Sequence, residues 1–160
     1  MPMPPPGVYA PLLTLYDAGE EIDVAGTAAL GRRLVDAGLH GLVVSGSTGE
    51  FHLHTPVERQ VLLEAVIAAC PGTPVLVQVG APAQRDAMAL AAHAVAAGAA
   101  GVMLITPYYN RVGPKELADF AHLRAHVYRL IKREQSSPEE EARRAEEPSA
   151  PNVSNTRTPI

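Results

Sequence analysis

The sequence has 160 residues, of which 47% are hydrophobic, with a formal net charge of −4 and a single cysteine, Cys70. Its length suits one domain, and its negative charge argues against the basic face that a nucleic-acid partner would need. No apolar run reaches the ~18 residues of a membrane span, no signal peptide is recognised, and one cysteine fits a reducing compartment. We therefore expect a cytoplasmic protein that binds neither nucleic acid nor a membrane, with Cys70 as a small buried hydrophobe.

Four short apolar runs follow one another along the chain and predict β-strands. Each is rich in aliphatic residues and lacks polar alternation, which is typical of strands buried on both faces of a parallel sheet. They cover residues 8–15, 41–44, 74–79 and 101–105.

Helical patterns lie between and after these runs, at residues 22–37, 56–69, 83–97 and 113–133. Thr55 is the expected N-cap of the second helix, and Pro56 stands at its first position, where proline is favoured. The alternation of strands and helices predicts an α/β fold with a parallel sheet and right-handed crossovers.

An internal repeat narrows the fold class. The segments DAGLHGLVV (36–44) and AAGAAGVML (96–104) share a helix-ending glycine, a second glycine three residues later and an apolar strand. Such near-equivalent units favour a partial (β/α)8 TIM barrel of about four βα units over residues 7–133. A flavodoxin-like doubly wound sheet stays open as the alternative, although no G-x-G-x-x-G follows the first strand. Residues 134–160 are charged and rich in Pro, Ser and Glu, which predicts a disordered tail.

Polar side chains concentrate where the predicted strands end, which is where parallel α/β folds bind ligands. After the second strand, Gly46-Ser47-Thr48-Gly49-Glu50 offers two hydroxyls and several backbone N–H groups that could hold one small carboxylate. A turn with capping hydroxyls explains the same residues equally well. Because the loop lacks the lysine of a Walker motif, a nucleoside triphosphate is a poor candidate.

Histidines do not predict a metal site in this chain. His122 and His126 have the i, i+4 spacing that suits a metal, but no third ligand is evident in the sequence. We expect no metal and no cofactor.

The GSTGE segment at 46–50, together with TPYYN at 106–110, resembles the dihydrodipicolinate synthase and N-acetylneuraminate lyase family. T-x-Y-D at 14–17 and TP-x-ER at 55–59 fit the same resemblance, which extends from about residue 7 to residue 120. It implies a TIM barrel, usually tetrameric, that acts as a lyase on pyruvate or a related 2-oxo acid through a Schiff-base lysine.

The resemblance also implies roles for individual residues. Gly46, Ser47 and Thr48 match the positions that hold the substrate carboxylate, and Ser47 also matches a hydroxyl of the proton relay. Tyr109 matches the tyrosine that the synthases pass across a dimer interface into the neighbouring site. Within the family, 4-hydroxy-2-oxoglutarate aldolase and N-acetylneuraminate lyase remain alternatives.

Two family features are not found in this sequence. The Y-N-x-P segment of the fifth strand is missing, and so is the Schiff-base lysine of the sixth. Lys115 and Lys132, its only two lysines, fall on the predicted fourth helix rather than at a strand end. We therefore expect the chain to be inactive alone and homo-oligomeric if folded, because a half-barrel leaves its edge strands unpaired. The alternative is a non-catalytic fragment that binds a small carboxylate or a partner chain.

Overall fold

Four parallel strands form one sheet in the computed structural model, which describes residues 4–105 together with His122, Ala125 and Val127. The strands are β1 (Tyr9–Pro11), β2 (Gly41–Val44), β3 (Val75–Gln78) and β4 (Gly101–Met103). They lie in the order β1-β2-β3-β4, and the aligned pairs include Pro11 with Val43 and Val43 with Leu76. This sequential order confirms the predicted partial barrel. It is inconsistent with the flavodoxin-like alternative, whose second strand lies outside the first.

Three helices connect the strands: α1 (Val24–Asp36), α2 (Pro56–Ala69) and α3 (Gln84–Ala96). Helix α2 has the predicted bounds, with Thr55 as its N-cap, and Glu58 completes a reciprocal capping box that the sequence analysis did not identify. A 3-10 turn at Phe51–Leu53 was also not predicted. His122, Ala125 and Val127 are helical, while the rest of the predicted fourth helix and the tail at 134–160 lie outside the described residues.

The first strand is shorter than the predicted 8–15, because the backbone after Leu12 turns towards α1. The Leu15 N–H donates to Thr27 Oγ1 at 2.9 Å, and the Leu15 carbonyl accepts from the Asp23 N–H at 2.8 Å. Because of the same contacts, α1 begins at Val24 rather than at the predicted residue 22. Asp23 becomes the N-cap, since its carboxylate accepts from the Gly26 N–H at 2.8 Å.

The internal repeat has a structural reason at both of its glycines. Gly38 and Gly98 end α1 and α3 with φ of 99° and 85°, in the left-handed region that favours glycine. Gly41 and Gly101 begin the next strands, where an added Cβ would lie 2.2 Å from the Tyr9 ring and 2.8 Å from Leu76 respectively. The second glycine of each copy therefore makes room for a side chain of the preceding strand in the sheet.

The two faces of the sheet differ in their covering. The helices pack against the outer face, and the buried residues on it, in the strands or directly after them, include Leu12, Leu42, Val44, Val75, Val77 and Val79. Cys70 is 1% exposed in this core and unpaired, and burial raises the pKa of its thiol, so the predicted small buried hydrophobe is confirmed.

Within the described part of the chain, no helix is long and apolar enough to cross a membrane.

Candidate functional site

The carboxyl ends of all four strands meet at one edge of the sheet, because every neighbouring pair is parallel. This edge carries Thr14 after β1, the loop of residues 45–50 after β2, and Gly80 after β3. It is the edge at which parallel α/β folds bind ligands, so we take it as the candidate site.

The loop after β2 presents two of its three hydroxyl residues, Ser47 and Thr48, to solvent. The Gly49 N–H donates to the Gly46 carbonyl at 3.1 Å, and the Glu50 N–H donates to the Ser47 carbonyl at 3.1 Å, so two tight turns overlap. Gly46 and Gly49 are buried, while Ser47 and Thr48 are exposed. Within residues 4–105, neither the N–H groups nor the hydroxyls of Ser47 and Thr48 have a hydrogen-bond partner. The loop therefore has up to four donors available to one small anion.

A buried contact from the segment after β1 holds this loop in place. The Thr14 hydroxyl donates to the Gly49 carbonyl at 2.8 Å, and both residues are buried. A Cβ on Gly49 would lie 2.9 Å from the Leu12 carbonyl oxygen, so only glycine fits without a shift of the backbone. The turn that carries the exposed hydroxyls is thus anchored by a buried hydrogen bond and a close backbone contact.

Ser45 has two unfavourable features, one in its backbone and one in its side chain. Its φ is 52°, in the left-handed region that costs a non-glycine residue about 1–2 kcal/mol. Its side chain is 1% exposed, yet its hydroxyl has no hydrogen-bond partner among the described residues. Backbone strain and an unsatisfied buried hydroxyl therefore coincide directly before the exposed turn.

Arg59 stabilises the carboxyl end of the neighbouring strand, β3. This arginine of α2 is 4% exposed, and its guanidinium donates to the carbonyls of Gln78 and Gly80. It also lies over the Phe51 ring, 5.3 Å from the ring centroid. The Gln78 side chain completes the arrangement by accepting from the Gly80 N–H at 2.7 Å. A buried cation thus joins α2 to the segment that follows β3.

A separate cavity of about 470 Å³ opens beside the loop. The Tyr16 hydroxyl donates to Glu50 at 3.2 Å and lies 2.7 Å from Nε2 of His54. Burial raises the pKa of Tyr16, with a further contribution from Glu50, and burial lowers the pKa of His54, which favours neutral rings. The cavity is also lined by the carboxylates of Asp17, Glu20, Glu21, Glu50 and Glu58. Because these carboxylates repel an anion, we do not place a carboxylate ligand there.

Three of the four predicted site residues lie together, since Gly46, Ser47 and Thr48 form one turn at the candidate edge. Tyr109 lies outside the described residues, as do Lys115, Lys132 and His126. Among the residues described, no group of three His, Cys, Asp or Glu side chains could hold a metal ion.

The sequence analysis missed Thr14 and Arg59 as supports of the site. Arg59 had a detectable signal, because it precedes the buried Leu62, Leu63 and Val66 at helical spacing. A charge on the apolar face of a helix indicates a buried polar contact. Thr14 had no such signal, since its partner Gly49 is 35 residues away.

Comparison with known proteins places this geometry in context. A family model described as the dihydrodipicolinate synthetase family matches residues 4–127. An uncharacterised DapA-like lyase of Halobacterium salinarum is 45% identical over 64% of this chain, and a 4-hydroxy-tetrahydrodipicolinate synthase of Synechococcus is 43% identical over 71%.

Solved structures give the same picture. YagE of Escherichia coli K12, determined in complex with pyruvate, matches 79% of this chain with a TM-score of 0.72 and 33% identity. A sialic acid aldolase of Ruminococcus gnavus matches 76% with a TM-score of 0.70 and 26% identity. The chain spans between 34% and 42% of the length of these four proteins.

Proposed function

The chain belongs to the dihydrodipicolinate synthetase family, and from this premise we propose that the loop of residues 45–50 is the carboxylate-binding part of a lyase site. Its ligand is pyruvate or a related 2-oxo acid. The observation that carries the proposal is the pair of exposed hydroxyls, Ser47 and Thr48, between two buried glycines on an anchored turn. The pyruvate in the YagE complex supports the substrate class.

The proposed binding step needs only donors that the turn supplies. The N–H groups and hydroxyls of Ser47 and Thr48 surround one carboxylate, in a charge-assisted arrangement that is stronger than a neutral one. The keto group then points away from the turn, towards the inner side of the sheet. In this proposal Ser47 also passes a proton during the reaction, with Tyr109 as its partner.

The nucleophile is the second part of the proposal. Class I lyases attack the keto carbon with a lysine whose pKa is lowered by burial at a strand end. We propose that neither Lys115 nor Lys132 serves in this way, because both belong to the predicted fourth helix. Residues 7–133 then act as the N-terminal half of the barrel, with residues 134–160 outside the site, and the chain alone binds a 2-oxo acid without forming a covalent adduct.

Two measurements test these parts separately. Titration with pyruvate followed by NMR should shift the amide signals of Ser47 and Thr48, and the Ser47→Ala, Thr48→Val double variant should lose the response. Borohydride treatment with labelled pyruvate should leave the chain unlabelled. An adduct on Lys115 or Lys132 would overturn the second part and leave the first intact, whereas an unchanged spectrum would overturn the first.

A second candidate function follows from a different observation. Pro11 of β1 and Met103 of β4 lie on the face of the sheet opposite the helices and are exposed, which favours a non-catalytic fragment that binds a partner chain. The reaction of the lyase stays open within the family: it can be that of a synthase, of a 4-hydroxy-2-oxoglutarate aldolase or of an N-acetylneuraminate lyase.

We also propose that the chain forms a homo-oligomer and that it is located in the cytoplasm. We propose the cytoplasm because the free thiol of Cys70 fits a reducing compartment.

A further inference from the structure

Gln78 is a buried polar residue on the inner face of the sheet, the face opposite the helices. Val75 and Val77 of the same strand belong to the core under the helices, so the alternation of side chains along β3 directs Gln78 to the inner face. The residue is only 5% exposed. A buried carboxamide costs free energy unless its oxygen and its nitrogen both find partners, so the partners of each atom are informative.

The carboxamide oxygen of Gln78 has a partner, whereas its nitrogen does not. The Gly80 N–H donates to Oε1 at 2.7 Å, and because only the oxygen can accept a hydrogen bond, this contact fixes which way the amide points. Within residues 4–105, no group accepts a hydrogen bond from Nε2, although this atom is not sealed from solvent. Two N–H groups of an otherwise buried residue therefore reach accessible space on the inner side of the sheet.

Gly80 and Arg59 keep this amide in place. A Cβ on Gly80 would lie 3.1 Å from Gln78 Oε1 and 2.7 Å from Ile105 Cγ2, so the glycine leaves the space that the carboxamide occupies. The Arg59 guanidinium of α2 donates to the Gln78 carbonyl. The backbone of this strand end is thus held by Arg59, while the side chain leans along the strand towards the carboxyl edge of the sheet.

The register of the sheet places Gln78 beside the turn at 46–48. Val44 of β2 is aligned with Val77 of β3, so the residues that follow them, Ser45 and Gln78, are level with each other at the ends of adjacent strands. Adjacent strands lie about 4.8 Å apart. A small ligand whose carboxylate is held by the turn, and which extends towards the inner side of the sheet, therefore passes the Gln78 carboxamide.

The chemistry of Nε2 selects the kind of atom that it binds. An amide nitrogen donates hydrogen bonds without carrying a charge, so it suits a neutral oxygen, whereas a second carboxylate is better matched by a cation. In a 2-oxo acid the neutral oxygen is the keto group, which the proposed binding step directs towards the inner side of the sheet. We propose that Gln78 is a specificity-determining residue whose Nε2 donates to the keto oxygen of the ligand and so distinguishes 2-oxo acids from simple carboxylic acids. This inference rests on the proposed carboxylate-binding turn and adds a second contact to it.

Titration of the full chain with pyruvate and with propionate, followed by NMR, tests this role. Propionate has the same carboxylate and the same carbon chain but no keto oxygen. The amides of Ser47 and Thr48 report the binding of both acids, and we expect pyruvate to bind about tenfold more tightly, which is the size of effect of one well-made hydrogen bond. The side-chain N–H signals of Gln78 should shift with pyruvate and stay in place with propionate.

Substitution of Gln78 by methionine removes the donor at similar volume. In Gln78→Met the preference for pyruvate should fall to about twofold or less, because propionate binding does not depend on Nε2. Gln78→Glu is the second variant and keeps an acceptor for the Gly80 N–H. Its carboxylate cannot donate, so it should weaken the binding of both acids and also remove the preference. Gln60→Met is the matched control, since Gln60 lies on α2 at the other face of the sheet, and it should keep the preference.

The outcomes separate this inference from the proposed function. Equal affinities for the two acids in the unmodified chain, or a preference for pyruvate that survives both substitutions of Gln78, would overturn the role of Gln78 and leave the carboxylate-binding turn intact. A Gln78 side-chain signal that responds equally to both acids would do the same. No response of Ser47 and Thr48 to either acid would overturn the proposed function and this inference with it.

Discussion

Two strand ends at the same edge of the sheet differ in how they use their polar groups. After β2, Ser47 and Thr48 are exposed, and their hydroxyls and N–H groups have no hydrogen-bond partner among the residues that the structure describes. After β3, the carbonyls of Gln78 and Gly80 accept from the buried guanidinium of Arg59. We propose that the first strand end binds a ligand and that the second holds the edge of the sheet in place. Substitution of Arg59 should therefore change stability, and substitution of Ser47 and Thr48 should change binding.

The largest effect is expected at Arg59. Arg59→Ala leaves two buried carbonyls without their charged donor, and hydrogen bonds to charged groups contribute about 1.5–3 kcal/mol each. We expect the free energy of unfolding to fall by about 3 kcal/mol or more, measured by urea denaturation with the midpoint as readout. The matched control is Arg33→Ala, because Arg33 is exposed on α1 and its loss should change stability by about 0.5 kcal/mol or less. Equal effects of the two substitutions would contradict the supporting role of Arg59.

Substitution of Gly49 tests the contact that anchors the exposed turn to Leu12 and Thr14. Gly49→Ala places a Cβ 2.9 Å from the Leu12 carbonyl oxygen and 3.4 Å from the Thr14 hydroxyl, and such overpacking costs about 1–3 kcal/mol. Thermal unfolding should show the loss. Gly46→Ala is the control, since its Cβ would meet nothing closer than Val43 at 3.6 Å. If Gly46→Ala destabilises as strongly, the close approach to β1 is not the cause.

The comparison of the two strand ends also separates what the sequence can predict from what it cannot. Local signals were sufficient for α2, because Thr55 and Pro56 mark its start within one turn. The turn at 46–50 was recognised from its glycines. The contact that supports this turn, from Thr14 to Gly49, and the contact that supports the end of β3, from Arg59 to Gly80, join residues 35 and 21 positions apart. Such contacts depend on strand order and register, which no local pattern encodes.

Substitution of Ser45 by glycine should stabilise the protein, whereas Arg59→Ala and Gly49→Ala should destabilise it. Ser45→Gly removes the strain of a φ of 52° together with a buried hydroxyl that has no partner among the described residues. Part of this gain is offset by the larger backbone entropy of glycine, so we expect a net stabilisation of about 1 kcal/mol. Glu20→Gly is the control, because Glu20 has a φ of 65° but is exposed and buries no hydroxyl. The melting temperature of the Glu20→Gly variant should rise less than that of the Ser45→Gly variant. A destabilised Ser45→Gly variant would show that the hydroxyl supports the loop.

The capping box of Thr55 and Glu58 at the start of α2 should make the stability of the protein depend on pH. Hydrogen bonds from the side chain and backbone of Thr55 hold the pKa of Glu58 below its ordinary range. A depressed carboxylate pKa stabilises the fold above the pKa of the unfolded chain, and this contribution is lost as the pH falls through the folded value. Thr55→Ala should cost about 1 kcal/mol at neutral pH and progressively less in acid. Urea denaturation across the acid range measures this, and a cost independent of pH would contradict the role of the Glu58 carboxylate.

The smallest stability change, and the sharpest test of the comparison, is expected at the two exposed hydroxyls. Neither side chain has a partner within residues 4–105, so Ser47→Ala combined with Thr48→Val should alter the free energy of unfolding by about 0.5 kcal/mol or less. Pyruvate titration of the same variant should show the loss of binding, because two donors to the carboxylate are gone. A large loss of stability would mean that the hydroxyls support the turn rather than a ligand, and the two strand ends would then not differ in function. Unchanged stability with abolished binding would separate the two roles, since Arg59→Ala weakens the fold without touching the donors.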